Sequence, residues 1–347
     1  MIPSKVDDTL PELAPFVHAV QGRRPDDGTW CEAWTVRDIL VHQTGNAEEL
    51  ARVLRAFLAG APVETRSFAR EAPYRRMSDT ELWAAFMTNC EQLTEIAAAA
   101  AQDLSPDTEV MWTGRSVKVP FFAEHMREEL ILHRWDLTGD DRTAVRSLNE
   151  SWMTEHSVVS VGRPLLVRGR AGLDLGPEGR VEGRLRTPGT DDIVVAADAD
   201  GGTIRFAAPE GPATIESDAA TRLLLLWGRR PADPTRWHST AGPEALRSVR
   251  TLLGGYRVTA PGLPHEPEEL RPRRGGDLEP QTVTLLGVAY THSSGNERDF
   301  HAVVTLGPAV AALEPFQLTV GAHSAPRIRC NNSAESAGDR ACERILA

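Results

Sequence analysis

The sequence predicts a helical N-terminal bundle followed by a smaller α+β domain. Before Pro164, long runs keep a helical apolar period and begin with capping residues; after it come short β-branched runs with glycine turns, then a Leu-rich helical segment near residue 223. The 347 residues are enough for two domains and an appendage, and a 41% hydrophobic content supports packed cores.

Residues 6 to 21 have a weak helical period. A long amphipathic helix starts at Thr35, which serves as N-cap with Asp38 as its capping-box partner. Its inward stripe runs Ile39, Asn46, Leu50, Val53 and Phe57, and His42 falls on that stripe. Residues 78 to 101 form a second helix, opened by Ser78 or Asp79. Residues 120 to 137 form a third, with Pro120 in the first turn, where a missing amide hydrogen is no loss. Phe122, Met126, Glu129 and His133 share one face of it. With residues 147 to 162 as a further helix, a four-helix up-and-down bundle plus a linking helix is the economical arrangement.

Past Pro164 the Gly- and Arg-rich residues 168 to 180 read as a separator. V-E-G-R-L-R-T-P, I-V-V-A-A-D-A and T-I-R-F-A-A-P then read as antiparallel strands, with a turn at Asp200-Gly201-Gly202. Residues 213 to 217 form another strand, 218 to 229 an apolar helix and 243 to 254 a last helix. The expected divisions are 1–163, 164–262, and a linker with an unassigned extension over 263–347 that holds strand-like runs at 282 to 290 and 301 to 306.

A formal charge of -11 argues against binding to nucleic acid, whose phosphates demand a basic surface. The N-terminus has no apolar signal core, and the apolar runs at 96 to 101 and 223 to 227 are too short for a bilayer, so no membrane partner and a cytoplasmic location are expected. Cys31, Cys90, Cys330 and Cys342 lack C-x-x-C spacing and read as reduced thiols. Lys5 and Lys118 are the only lysines, a bias that fits a GC-rich bacterial genome.

The chemistry concentrates in E-E-L-I-L-H-R-W-D (128 to 136) and W-T-V-R-D-I-L-V-H-Q-T-G (34 to 45). Glu129 and His133, four apart, share a helix face, and His42 supplies a third donor from another helix. Two imidazoles and a carboxylate suit zinc or another divalent metal and leave a coordination position open. Burying Glu129 without a cation would cost several kcal/mol, of order ~3 or more. His125 continues the i, i+4, i+8 series and competes for a place in the set.

W-T-V-R-D-I-L-V-H with Cys31 upstream, and E-x-x-x-H-R-W-D later, resemble the mycothiol-dependent maleylpyruvate isomerase family. S-D-A-A-T-R-L-L-L-L-W-G-R-R (217 to 230) resembles a helix of that family's sterol-carrier-like C-terminal domain. The resemblance spans about residues 5 to 260 and implies a DinB-like metal-binding four-helix bundle over 1–163, zinc on His42, Glu129 and His133, and a sterol-carrier-like α+β domain over 164–262. W-C-E-A-W (30 to 34) departs from the usual Cys-Pro-Gly-Trp lead-in.

The resemblance also implies mycothiol, an actinobacterial thiol, as cosubstrate; zinc lowers a thiol's pKa and generates the nucleophile. Isomerase and S-transferase chemistry both fit, with a zinc-dependent hydrolase or a non-catalytic small-ligand-binding protein as alternatives. Arg229 and Arg230 are candidate clamps for an acidic substrate or the thiol, or else a solvated pair offsetting a helix dipole; Arg115 is a further binding candidate. Asn46 either orients water or thiol, or is a buried polar residue satisfied by backbone. Trp112 and Trp135 are expected to pack the bundle.

Overall fold

The computed structural model describes residues 4–31, 34–176 and 179–254, all within a compact unit spanning Met1–His265. The strand-like runs at 282 to 290 and 301 to 306 lie outside the described residues.

The first expected helix is two: α1 (Ser4–Thr9) and α2 (Leu13–Gln21). The break falls at Pro11, which has no amide hydrogen to continue the ladder. Thr35 opens α3 (Val36–Leu58) with the capping box to Asp38. A 3₁₀ turn over Ser67–Glu71 leads into the single turn α4 (Ala72–Arg75). Ser78, not Asp79, caps α5 (Asp79–Asp103), and Glu81 closes its capping box. A hairpin not expected from the sequence, β1 (Glu109–Trp112) and β2 (Arg115–Lys118), turns on Thr113 (φ 48°) and Gly114 (φ 75°), a left-handed pair that matches strand twist.

α6 (Phe121–Thr138) is buried on nearly every side, since α2, α3 and α5 all pack on it. Its Phe122, Met126 and Trp135 meet Ile39 and Leu50 of α3 and Leu82, Phe86 and Leu93 of α5 in one core. At roughly 1.5–3 kcal/mol for each fully buried large apolar side chain, this core is what fixes the helices that carry the site. The helix expected over 147 to 162 is broken into α7 (Arg142–Leu148), α8 (Ser151–Glu155) and a π-helical segment, His156–Val161.

The separator expected at 168 to 180 is in part a helix, α9 (Arg163–Ala171). Its glycine has a packing reason: a Cβ on Gly169 would collide with the Leu252 carbonyl of α11 (Pro243–Leu253). β3 (Arg180–Arg186), β4 (Asp192–Asp198), β5 (Gly202–Ala207), β6 (Ile215–Ser217) and β7 (Trp237–His238) form a five-stranded sheet in the order β5-β4-β3-β6-β7. The sheet is mixed rather than purely antiparallel, because β3 and β6 run parallel. α9 and α11 pack on it, and α10 (Ala219–Leu226), capped by Asp218, packs against α7. Asn149 binds the two parts together by accepting a hydrogen bond from the Ala220 amide at 2.8 Å. The result is the expected class, a helical bundle followed by an α+β region. Among the described residues no helix is long and apolar enough to cross a membrane.

Candidate metal centre

α3 and α6 bring His42, Glu129 and His133 together, all buried, with one donor atom from each within 4.8 Å of the others. Glu129 Oε2 lies 3.4 Å from His42 Nε2 and 3.3 Å from His133 Nε2. These distances exceed the ~2.7–2.9 Å of a charge-assisted hydrogen bond. They match the edge of a tetrahedron with metal–ligand bonds near 2.0–2.1 Å, which is about 3.3–3.4 Å. The donors therefore fit a zinc-like ion better than they fit one another.

The outward nitrogens are held differently. His42 Nδ1 bonds Glu71 Oε1 at 2.8 Å, and Glu71 is paired with Arg75. His133 Nδ1 lies 2.8 Å from Asp136 Oδ2, close but out of line for a hydrogen bond. Asp136 in turn is gripped by Arg229 through Nε at 2.8 Å and Nη2 at 2.6 Å. A carboxylate behind each imidazole fixes ring orientation and raises ligand basicity. The Trp34 ring stacks on His133 at 5.5 Å and 9°.

The charges are arranged to keep the acids ionised. Burial alone would raise Glu129, yet His133, His42 and His125 hold it well below the usual carboxylate range. Burial opposes ionisation of Asp136 too, but Arg229 and His133 bring it down to about 2. Burial would likewise raise Glu71, which His42 and Arg75 hold below its ordinary value. For His133 burial works against the proton, and Asp136 and Glu129 outweigh it, so its pKa is raised.

The triad opens onto a cavity of about 450 Å³. Arg70, Arg115, Arg168 and Arg229 line it together with Trp34, Phe68, Trp112 and Trp227. Four guanidiniums against one lining carboxylate make it electropositive. Burial pulls the Arg70 guanidinium below its usual value, a shift that Glu71 and Glu129 oppose.

The other expected site residues divide. Arg115 lines the cavity, over the Trp112 and Phe121 rings at 5.3 and 5.0 Å. Arg229 lines it too, but its fork faces Asp136. Arg230 is not brought to the triad; it lines a separate depression with Arg247 and Arg250. Asn46 is buried and lines no part of the cavity, and its Nδ2 has no hydrogen-bond partner among the described residues. Trp135 packs in the bundle, whereas Trp112 also faces the cavity. His125 turns its Nε2 to 3.7 Å from the other Glu129 oxygen and its Nδ1 toward Glu128. Of the further site residues Glu71, Asp136, Arg70 and Trp34, only Asp136, three residues after His133, carries a helical-spacing signal in the sequence.

Residues 6–138 match the family model of the mycothiol maleylpyruvate isomerase N-terminal domain. Two solved structures are similar to the chain: the mycothiol-dependent maleylpyruvate isomerase and a single-site mutant of it. The first is 16% identical and the mutant 17%; each alignment covers 70% of this chain and 95% of that one, with a TM-score of 0.44. A search of curated proteins finds no match.

Proposed function

We propose that this chain, similar over its N-terminal domain to the mycothiol maleylpyruvate isomerases, is a zinc-dependent enzyme that uses mycothiol or a related small thiol on a small electrophilic substrate. Isomerisation of the maleylpyruvate type is the first reading and thiol S-transfer the second. The carrying observation is the triad whose inner donors stand at ligand-to-ligand separations while carboxylates back the outer nitrogens of both histidines.

His42, Glu129 and His133 would hold the metal. Bound there, zinc supplies a cationic centre at which a thiol ionises near neutral pH. The protein's own groups do the rest. Arg70, Arg115 and Arg168 offer an anionic substrate its cationic walls, and guanidiniums hold carboxylates in a bidentate fork. Arg229 acts through Asp136, keeping that carboxylate ionised and set against His133; it is a positioning residue. Trp34, Phe68 and Trp227 supply apolar wall that limits water. Within this reading 1–163 provides the metal ligands, while 164–262 closes the cavity with Arg168, Trp227 and Arg229.

The test is metal analysis joined to turnover. Purified protein should hold zinc, and His42→Ala should lose one equivalent together with thiol-dependent turnover of maleylpyruvate or an electrophilic thiol acceptor. Full activity in metal-free protein would overturn the proposal, and activity unchanged by removing every thiol would replace it with a zinc hydrolase.

A further inference from the structure

We propose that His125, Glu128 and His156 form a second site for a zinc-like divalent cation, separate from the His42 triad. One donor atom from each lies within 4.8 Å of the others, and the three residues are at most 6% exposed. Glu128 Oε2 stands 3.4 Å from His125 Nδ1 and 3.4 Å from His156 Nε2. Both separations are again too long for a charge-assisted hydrogen bond and equal to a tetrahedral ligand edge of about 3.3–3.4 Å.

The surroundings reserve those atoms. Ser157 Oγ and Trp227 Nε1 both donate to Glu128 Oε1, which leaves Oε2 directed at the two imidazoles. His156 Nε2 makes no hydrogen bond, while its Nδ1 meets Glu124 Oε2 at 3.3 Å, a carboxylate behind the imidazole. Among the described residues Glu128 has no arginine or lysine as an ion-pair partner. A fully buried carboxylate needs a cation, and the two histidines are aimed to share one.

The backbone is shaped to the same end. His156 and Ser157 begin the π-helical turn, a rare conformation found mostly at functional sites, and both face Glu128. Phe121 stacks on both imidazoles, at 4.9 Å on His125 and 5.3 Å on His156. An ion here would pin the π-helical segment to α6.

The experiment uses the full-length chain, stripped with a chelator and titrated with Co²⁺ and with Zn²⁺, with metal counted after desalting. Wild-type protein should take two equivalents, and His42→Ala should keep one. Glu128→Gln and His156→Ala should each keep only the other, and Zn²⁺ should raise the Tm of His42→Ala by several degrees but not that of His42→Ala/Glu128→Gln. Glu128→Gln, nearly isosteric, decides the matter if His156→Ala does not fold. A His42→Ala protein that binds no metal, or a Glu128→Gln protein that still binds two equivalents, overturns the proposal. Loss of the first equivalent bears on the proposed thiol chemistry, loss of the second on this site alone.

Discussion

Two His–Glu–His clusters share α6, with matching glutamate-to-histidine distances and different surroundings. Around Glu129 the outer nitrogens are backed by Glu71 and by Asp136, both tied to arginine, and the inner side opens to an electropositive cavity. Around Glu128 the Phe121 ring stacks on both imidazoles, Trp112 meets His125 edge-on, and serine and tryptophan donors take the spare oxygen. One donor pattern thus yields a centre whose three ligands all line the cavity and a second that meets the cavity only through His125. What separates them is how many of their ligands face the cavity.

That contrast can be broken most directly at the two glutamates. Glu129→Gln is expected to cut turnover by at least ~10³-fold, because a Lewis-acid centre contributes several kcal/mol and each 1.36 kcal/mol is about tenfold. Glu128→Gln should leave turnover within about threefold. Equal losses in steady-state kinetics would erase the distinction between the two clusters. The next effect down is Asp136→Asn, which removes the charge behind His133 and should weaken metal binding about 10–100-fold at the first centre only, read by competition with a chromophoric chelator.

The smallest effect concerns the sheet, remote from either cluster. Asp192 is buried between Arg186 and Arg184, each at 2.8 Å. The hydrogen bond from Arg186, with help from Arg184, holds its carboxyl below the usual range. A depressed folded pKa means stability that is present above the unfolded value near ~3.9 and is lost as pH falls through the lower folded value. Asp192→Asn should therefore lower Tm by several degrees (of order ~2–4 °C per kcal/mol) at pH 7, with the gap closing below about pH 4. A gap of the same size at pH 3 would show that packing, not charge, is responsible.

What could be read from the sequence was local in origin. Thr35 and Ser78 betray their helices because a cap bonds a backbone amide three residues away. Glu129 and His133 are visible because four residues make little more than one turn. Glu71 was invisible because the 3₁₀ turn that presents it has no apolar period to fix its direction. His156 was hidden inside an expected helix, since the π turn shifts the phase on which any facing argument depends. The end of α9, residues 168 to 171, reads as part of a separator because a glycine needed for close approach to Leu252 looks, in sequence, like a glycine needed for a turn. Arg229 was noticed for its charge, but its engagement with Asp136 joins positions far apart in the chain and left no sequence signal.

Glu128 and Glu129 are consecutive residues of one helix. Their backbones are fixed about 3.8 Å apart by covalent geometry and turned about 100° from each other by the helix itself. The spacing of the two anchor points is thus ruled by bond lengths, while the distances from each cluster to α3 and to the π turn depend on how the core packs. Substitutions that slide or tilt α6 will carry the backbones of both glutamates together, so drift in the core detunes each cluster against its partner element while the two anchor points keep their spacing.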